Sequence, residues 1–282
     1  MNIRIALSGL LILLIGFGFN SLKFKHQQVT FHLRSTPPGV GVFSDLDLPI
    51  HPIYNLHSQL YDLQKVDSRI ERFRKQWGLV GCALAIVKNE KLVFAKGYGY
   101  ADQEKQIPVQ PFHLFRIASV SKLFTAIAIM HLVEAGELRL ADRVFGAKGI
   151  LNDSIFLAIE DPLAYKIEVQ HLLRHTGGWR NQLRRDPMFA PQAVARVMEV
   201  ASPPSLETII QFMLAQKGYF EPGSLYDYSN FGYCVLGKII EKKTGMPYEA
   251  YLQQHILAPM GIRNMHLTSN TYEGKDPLEV KY

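Results

Sequence analysis

The chain has 282 residues, of which 48% are hydrophobic and 20% charged, so it can bury a sizeable core and is not disordered as a whole. Its net charge of +6 is mild for this length and no nucleic-acid-binding motif accompanies the basic clusters, so we expect no nucleic-acid partner. Cys82 and Cys234 lack CxxC or metal-type spacing; we favour two small buried side chains, with a disulfide left open.

Residues 1–20 are predicted to be a signal peptide or a membrane anchor. Asn2 and Arg4 precede an apolar run over 5–19, which has the length of a signal-peptide core and is short for a span of about 20 residues. No A-x-A pattern marks a cleavage site, so an uncleaved anchor that contacts the membrane is the alternative. Both interpretations predict an exported protein, periplasmic or at the cell surface.

A linker is predicted over 21–58, because prolines recur there without sustained periodicity. The region 59–118 is predicted to be the first part of an α/β sheet domain. Helical spacing runs from Leu60 to Phe73, and two apolar strands over 81–87 and 92–95 flank a polar turn. This order favours an antiparallel sheet covered by the helix, and two strands alone are too few, so further strands must pair with them.

A helical subdomain is predicted over 119–270. It begins with a helix from Ser119 to Glu134 that is apolar nearly all round, which is typical of a helix buried in the middle of a protein. Asn230 is predicted to cap a later helix and Gly245 to end it. The predicted helices that follow the first lie near 167–174, 205–217, 230–244 and 247–257.

Ser119-Val120-Ser121-Lys122 is the one S-x-x-K in the chain. The tetrapeptide alone is weak, but its placement at the start of an apolar helix puts Ser119 at the positive end of the helix dipole. Lys122 returns to the same face one turn later, where an amine in a water-poor site can accept a serine proton. The alternative interpretation makes Ser119 a plain N-cap and Lys122 a surface residue.

Tyr228-Ser229-Asn230 is the one Y-x-N, placed just before a helix. A tyrosine beside a lysine ammonium can relay a proton, and the Asn230 amide offers both a donor and an acceptor. Helix capping with a packed aromatic explains the motif equally well by itself. His171 and His175 have metal-compatible spacing, but no third ligand is apparent, so no metal site is predicted.

Together the motifs resemble the serine β-lactamase and penicillin-binding family, in its branch of class C β-lactamases, D-alanyl-D-alanine carboxypeptidases and esterases. The resemblance runs from about residue 66 to 268. Its matching segments, in chain order, are Phe115-Arg116-Ile117-Ala118, Gly136-Glu137-Leu138-Arg139-Leu140-Ala141-Asp142, Leu172-Leu173-Arg174-His175-Thr176-Gly177-Gly178, Pro222-Gly223, Tyr228-Ser229-Asn230-Phe231-Gly232-Tyr233 and Leu257-Ala258-Pro259-Met260-Gly261-Ile262.

The resemblance implies an α+β, β-lactamase/transpeptidase-like fold, an antiparallel sheet flanked by helices plus a helical subdomain. It implies that Ser119 is acylated, that Lys122 and Tyr228 share the general base and acid work, and that Asn230 binds substrate. The Ser119 backbone N–H becomes one oxyanion donor. The expected function is an exported serine hydrolase acting on an amide, β-lactam or ester (β-lactamase, D,D-peptidase or esterase activity), with a small-molecule or peptidoglycan-peptide substrate and no cofactor.

The family's third motif, a basic or histidine residue two positions before a glycine on a sheet strand, is not found at a matching place. Lys243-Thr244-Gly245 spells it at a predicted helix end, and His175-Thr176-Gly177 spells it in an earlier loop. We therefore expect the C-terminal sheet strands to be missing from this chain, residues 271–282 to begin a truncated return to the sheet, and the third motif to lie beyond Tyr282. A non-hydrolytic penicillin-binding sensor or cell-wall binding module, or an inactive truncated product, is the alternative.

Overall fold

The computed structural model describes residues 64–180, 185–268 and 274–281, together with Asn55 and the short strands β1 (Ile3–Arg4) and β2 (Thr30–Phe31), which pair antiparallel. Apart from those places, the predicted signal or anchor segment over 1–20 and the linker over 21–58 lie outside the described residues. Within the part of the chain that is described, no helix has both the length and the apolar character that crossing a membrane requires.

The chain divides into two compact units, Met1–Ala118 with Leu267–Tyr282, and Ser119–His266. Within the first, β3–β4–β5 form an antiparallel sheet. The β3–β4 turn places Asn89 and Glu90 at positive φ, the conformation that joins twisted strands closely. The elements are α1 (Gln64–Gln76), β3 (Gly81–Lys88), β4 (Lys91–Asp102) and β5 (Ile107–Pro108).

The predicted helix and hairpin are confirmed, with β4 longer than expected. Asp67 of α1 accepts hydrogen bonds from Lys96 Nζ at 2.8 Å and from Tyr98 OH at 2.7 Å, both side chains of β4. Burial raises the pKa of Tyr98, and the Asp67 carboxylate raises it further. These bonds hold the helix on the sheet, as the order of the two in the sequence indicates.

The second unit is helical. A 3₁₀ turn over Ala118–Val120 leads into it, and further 3₁₀ turns lie at Ser154–Phe156, Pro162–Lys166 and Pro187–Phe189. Its helices are α2 (Ser121–Glu134), α3 (Val169–Leu173), α4 (Pro191–Val197), α5 (Leu206–Leu214), α6 (Asn230–Thr244) and α7 (Tyr248–Tyr251), which continues as a π-helix over Leu252–Leu257. The sequence did not predict α4, because seven residues are too few to establish a helical period.

The core of this unit lies between α2, α6 and the π-helix, with α3 also packed on α6. Its fully buried large side chains include Phe156, Phe231, Ile129, Leu132, Leu172, Leu236 and Ile239. The prediction that α2 is buried all round is wrong in part, since Leu123 is 58% exposed and Met130 40%. The helix buries the face that meets α6 and the π-helix, and the described residues leave its opposite face open.

The cap of α6 differs by one residue from the prediction. Ser229, not Asn230, is the N-cap: its Oγ accepts a hydrogen bond from Gly232 N at 3.0 Å, and Asn230 is the first helical residue. The predicted end is confirmed, because Gly245 has a φ of +68°, the left-handed conformation that favours glycine after a helix. The Asn230 side chain is therefore not engaged in capping.

Replacing Ser229 with alanine should lower the free energy of unfolding by roughly 1 kcal/mol, because the Gly232 N–H loses its acceptor in a buried place. Chemical denaturation monitored by circular dichroism measures the change. Ser224→Ala is the control, since its Oγ bonds the Glu221 carbonyl in an exposed turn and caps no helix; we expect about 0.5 kcal/mol or less there. Equal effects of the two substitutions would contradict the capping role.

Candidate active site

Ser119 lies in the 3₁₀ turn Ala118–Val120, two residues before α2, so the prediction that it opens the α-helix is wrong by one short turn. Ala118 has a φ of +44°, a left-handed conformation that costs a non-glycine residue free energy. The turn leads directly into the N-terminal end of α2. Ser119 therefore stays near the positive end of the helix dipole, as the motif's placement predicts.

The four predicted side chains are linked in one series of hydrogen bonds, from Asn230 through Lys122 and Ser119 to Tyr228. Lys122 Nζ donates to Ser119 Oγ at 3.2 Å and to Asn230 Oδ1 at 2.6 Å. Tyr228 OH donates to the same Ser119 Oγ at 2.7 Å. Lys122 of the first motif and Asn230 of the second are 108 positions apart in the sequence, and the packing of α2 on α6 brings them together.

Lys122 is partly buried among neutral groups. Besides Ser119 and Asn230, its Nζ lies 4.9 Å from the ring centroid of Tyr228 and 5.6 Å from that of Tyr233, a cation–π arrangement. No carboxylate of the described residues forms an ion pair with it. The alternative of a surface lysine is therefore wrong. Burial raises the pKa of Tyr233, so this second ring stays a neutral phenol beside the amine.

Asp186 fixes the start of α6, although no sequence motif indicates this role. Its buried carboxylate accepts hydrogen bonds through Oδ2 from Asn230 N at 2.5 Å and Phe231 N at 3.2 Å. Its Oδ1 accepts from Met188 N at 3.0 Å. A carboxylate at a helix N-terminus is favourable, so Asp186 holds the backbone of Asn230 in place.

The two histidines with metal-compatible spacing each accept a hydrogen bond from a backbone N–H. His171 Nδ1 accepts from Glu168 N at 3.1 Å, and His175 Nδ1 accepts from Ser229 N at 3.1 Å. Over the described ranges, no group of three or more His, Cys, Asp or Glu side chains is arranged to hold a metal ion.

Neither cysteine is in a disulfide, and burial raises the pKa of Cys234 to about 11, which keeps this thiol protonated.

The two literal copies of the third motif lie where the sequence analysis expected. Lys243-Thr244-Gly245 ends α6, and His175-Thr176-Gly177 lies in the loop after α3. Asn230 uses Oδ1 for Lys122, whereas its Nδ2 donates to no residue that the structure describes. The role of the Ser119 N–H as an oxyanion donor stays a prediction.

Comparisons of the chain with known families, sequences and structures point to the same kind of protein. The family described as "Beta-lactamase" matches residues 66–277. The putative penicillin-binding protein PbpX of Bacillus subtilis is 30% identical over 211 residues, which cover 75% of this chain and 46% of PbpX. The octameric penicillin-binding protein homologue from Pyrococcus abyssi superposes with a TM-score of 0.58 at 28% identity, covering 78% of this chain and 52% of its own.

A D-amino acid amidase from Ochrobactrum anthropi superposes equally well, with a TM-score of 0.58 at 29% identity, covering 74% of this chain and 54% of the amidase. The fold is β-lactamase/transpeptidase-like. The chain belongs to the β-lactamase family. It spans less than half the length of the first curated relatives it matches, and the class C branch stays a prediction.

Proposed function

We propose that this chain carries the catalytic motifs of an exported serine hydrolase that forms an acyl-enzyme at Ser119 with an amide, β-lactam or ester substrate. The observation that carries the proposal is the pair of short contacts on one oxygen. Ser119 Oγ lies 3.2 Å from Lys122 Nζ and 2.7 Å from Tyr228 OH, so its proton has two acceptors or relays within reach.

The proposed reaction has two halves. Ser119 Oγ attacks the substrate carbonyl carbon while its proton passes to the Lys122–Tyr228 pair, one member of which must be deprotonated at that moment. The pair then returns the proton to the departing amine or alkoxide, and the carbonyl–leaving-group bond breaks. Water attacks the ester through the same pair and releases the acid, which restores the Ser119 hydroxyl.

Asn230 and the backbone of Ser119 have binding roles in this proposal. The Nδ2 of Asn230 donates to the substrate amide oxygen while Oδ1 fixes Lys122. The Ser119 N–H, at the positive end of α2, is one donor to the developing oxyanion. Loss of one such donor typically lowers a rate on the order of 10²–10³-fold.

The substrate class rests on the relatives and on the chemistry of the site. A putative penicillin-binding protein and a D-amino acid amidase are both similar to this chain, which supports a small amide or a peptidoglycan peptide as substrate. The Lys122–Tyr228 pair can protonate an amine leaving group, as an amide or lactam requires. Export is proposed from the apolar run over 5–19.

The test is to incubate the full-length protein with a fluorescent penicillin, D-phenylalanine amide and a p-nitrophenyl ester, and to follow adduct mass and product release. An adduct on the Ser119 peptide that clears with product release supports the hydrolase. An adduct that persists without turnover supports instead the penicillin-binding sensor. A folded protein with neither adduct nor product overturns the proposal.

A further inference from the structure

His175 is held tightly against the residues that carry the proposed chemistry. The centroid of its ring lies 4.4 Å from that of Tyr228, with the planes tilted by 32°, and 5.0 Å from that of Tyr233 on α6. Its Nδ1 accepts from Ser229 N at 3.1 Å, and its carbonyl oxygen accepts from Asp227 N at 2.8 Å. One residue therefore binds the backbone on both sides of Tyr228 and contacts the phenol ring between them.

We propose that His175 is a positioning residue that holds Tyr228 against Ser119 in its neutral form, and that protonation of its imidazole disables the site. The inference rests on the proposed function for its activity readout. It requires no direct contact between His175 and substrate, because His175 acts through Tyr228.

The hydrogen bond to Ser229 determines which form of His175 is compatible with the site. A ring nitrogen that accepts a bond from a backbone N–H has no proton, so Nε2 carries the proton of the neutral ring. Protonation at Nδ1 converts the acceptor to a donor facing another donor. The Ser229 N–H then loses its partner, and the loop that carries Tyr228 is released from the ring.

The surroundings of His175 also disfavour the charged ring. Among the described residues, the titratable or charged groups that face it are Lys122 from α2, Tyr226 and Tyr228 from the loop before α6, Tyr233 from α6 and Asp186 from the loop before α4. Burial lowers the pKa of His175, the Lys122 ammonium lowers it further, and Asp186 opposes them. The ring is therefore neutral above its ordinary value of about 6.5 and becomes charged only as the pH falls below it.

The decisive variant is His175→Asn. Asparagine keeps an acceptor oxygen close to the Nδ1 position and tolerates the φ of +58° at this residue, but it does not titrate. At pH 7.5 we expect kcat/KM to fall roughly three- to tenfold, because the ring contact with Tyr228 is lost. Below pH 6.5 the unaltered enzyme should lose about tenfold more activity per pH unit than the variant once His175 is charged, because protonation of the Lys122–Tyr228 pair affects both profiles alike.

His171→Asn is the matched control. His171 makes the same kind of bond, to Glu168 N, and burial also lowers its pKa, but it contacts none of the four motif residues. Its variant should retain the acid limb of the unaltered enzyme, with circular dichroism showing that all three proteins are folded at pH 5. A His175→Asn profile that falls as steeply as that of the unaltered enzyme, or a His171→Asn profile that falls less steeply, overturns the inference.

A readout without activity separates this inference from the proposed function. In the unaltered protein labelled with carbon-13 histidine and nitrogen-15 serine, the His175 Cε1 and Ser229 amide resonances should titrate together, with a midpoint below 6.5. If they do and no substrate reacts, the positioning role stands and the hydrolase proposal fails. If the midpoint lies at or above 6.5, or the Ser229 amide does not follow His175, the positioning role fails whatever the activity.

Discussion

Replacing Ser119 with alanine is expected to abolish covalent labelling by a fluorescent penicillin and to lower turnover of any substrate on the order of 10⁴-fold or more. The physical reason is that the acyl group has no oxygen left to bond, while Lys122 and Tyr228 keep their positions relative to each other. Gel fluorescence and the mass of the intact protein, measured on the full-length protein, give the result directly.

Ser121→Ala is the matched control for this loss. Ser121 belongs to the same tetrapeptide and begins α2, and its side chain is exposed. Labelling of the control should equal that of the unaltered protein. If Ser119→Ala is still labelled, peptide mass spectrometry will identify the true nucleophile, and the assignment of Ser119 is then wrong.

The geometry around Ser119 shows what the sequence can predict about a site. The Ser119–Lys122 contact is local, so the spacing of three residues is enough to place both on one face. The contact of Lys122 with Asn230 joins residues 108 positions apart, and neither motif alone predicts it. The resemblance to a family in which the two motifs occur in the same order is what indicates that they share one site.

Asp186 and His175 were not predicted as positioning residues, for a similar reason. Asp186 precedes a proline, a pattern that indicates the start of a turn, and its side chain does cap the turn Pro187–Phe189. Its second oxygen binds the start of α6, 44 positions away, and His175 reaches Ser229 across 54 positions. A lone carboxylate or imidazole in a loop gives no sequence signal for a partner so distant.

The cap of α6 shows a smaller limit of sequence-based prediction, which is the exact residue at which a helix begins. Ser229 and Asn230 both belong to the residue types preferred at an N-cap, and sequence alone places a helix start only within one or two residues. The backbone decides, because Ser229 has the extended conformation of a cap and Asn230 is helical. That one-residue difference matters for function, since it leaves the Asn230 amide facing Lys122 instead of its own helix.

Lys122→Ala is expected to reduce the rate of Ser119 acylation about 10³- to 10⁴-fold, nearly as much as loss of Ser119 itself. The amine touches Ser119 Oγ, Asn230 Oδ1 and the faces of two tyrosines, so its removal eliminates a proton acceptor and the partner that orients Asn230. Stopped-flow measurement of penicillin labelling gives the rate. Lys238→Ala is the control, because Lys238 is a half-buried lysine of α6 whose partners, Glu207 and Glu241, are remote from the chemistry.

Lys122→Arg distinguishes a proton acceptor from a fixed positive charge. Arginine can keep a cation near Ser119 Oγ and the Tyr228 ring, but its guanidinium stays protonated at every working pH, so it cannot take the serine proton. If Lys122 is the base, the arginine variant should be as slow as the alanine variant. If arginine preserves the rate within about tenfold, the lysine acts only as a charge, and Tyr228, whose hydroxyl lies 2.7 Å from Ser119 Oγ, is left as the group that takes the proton.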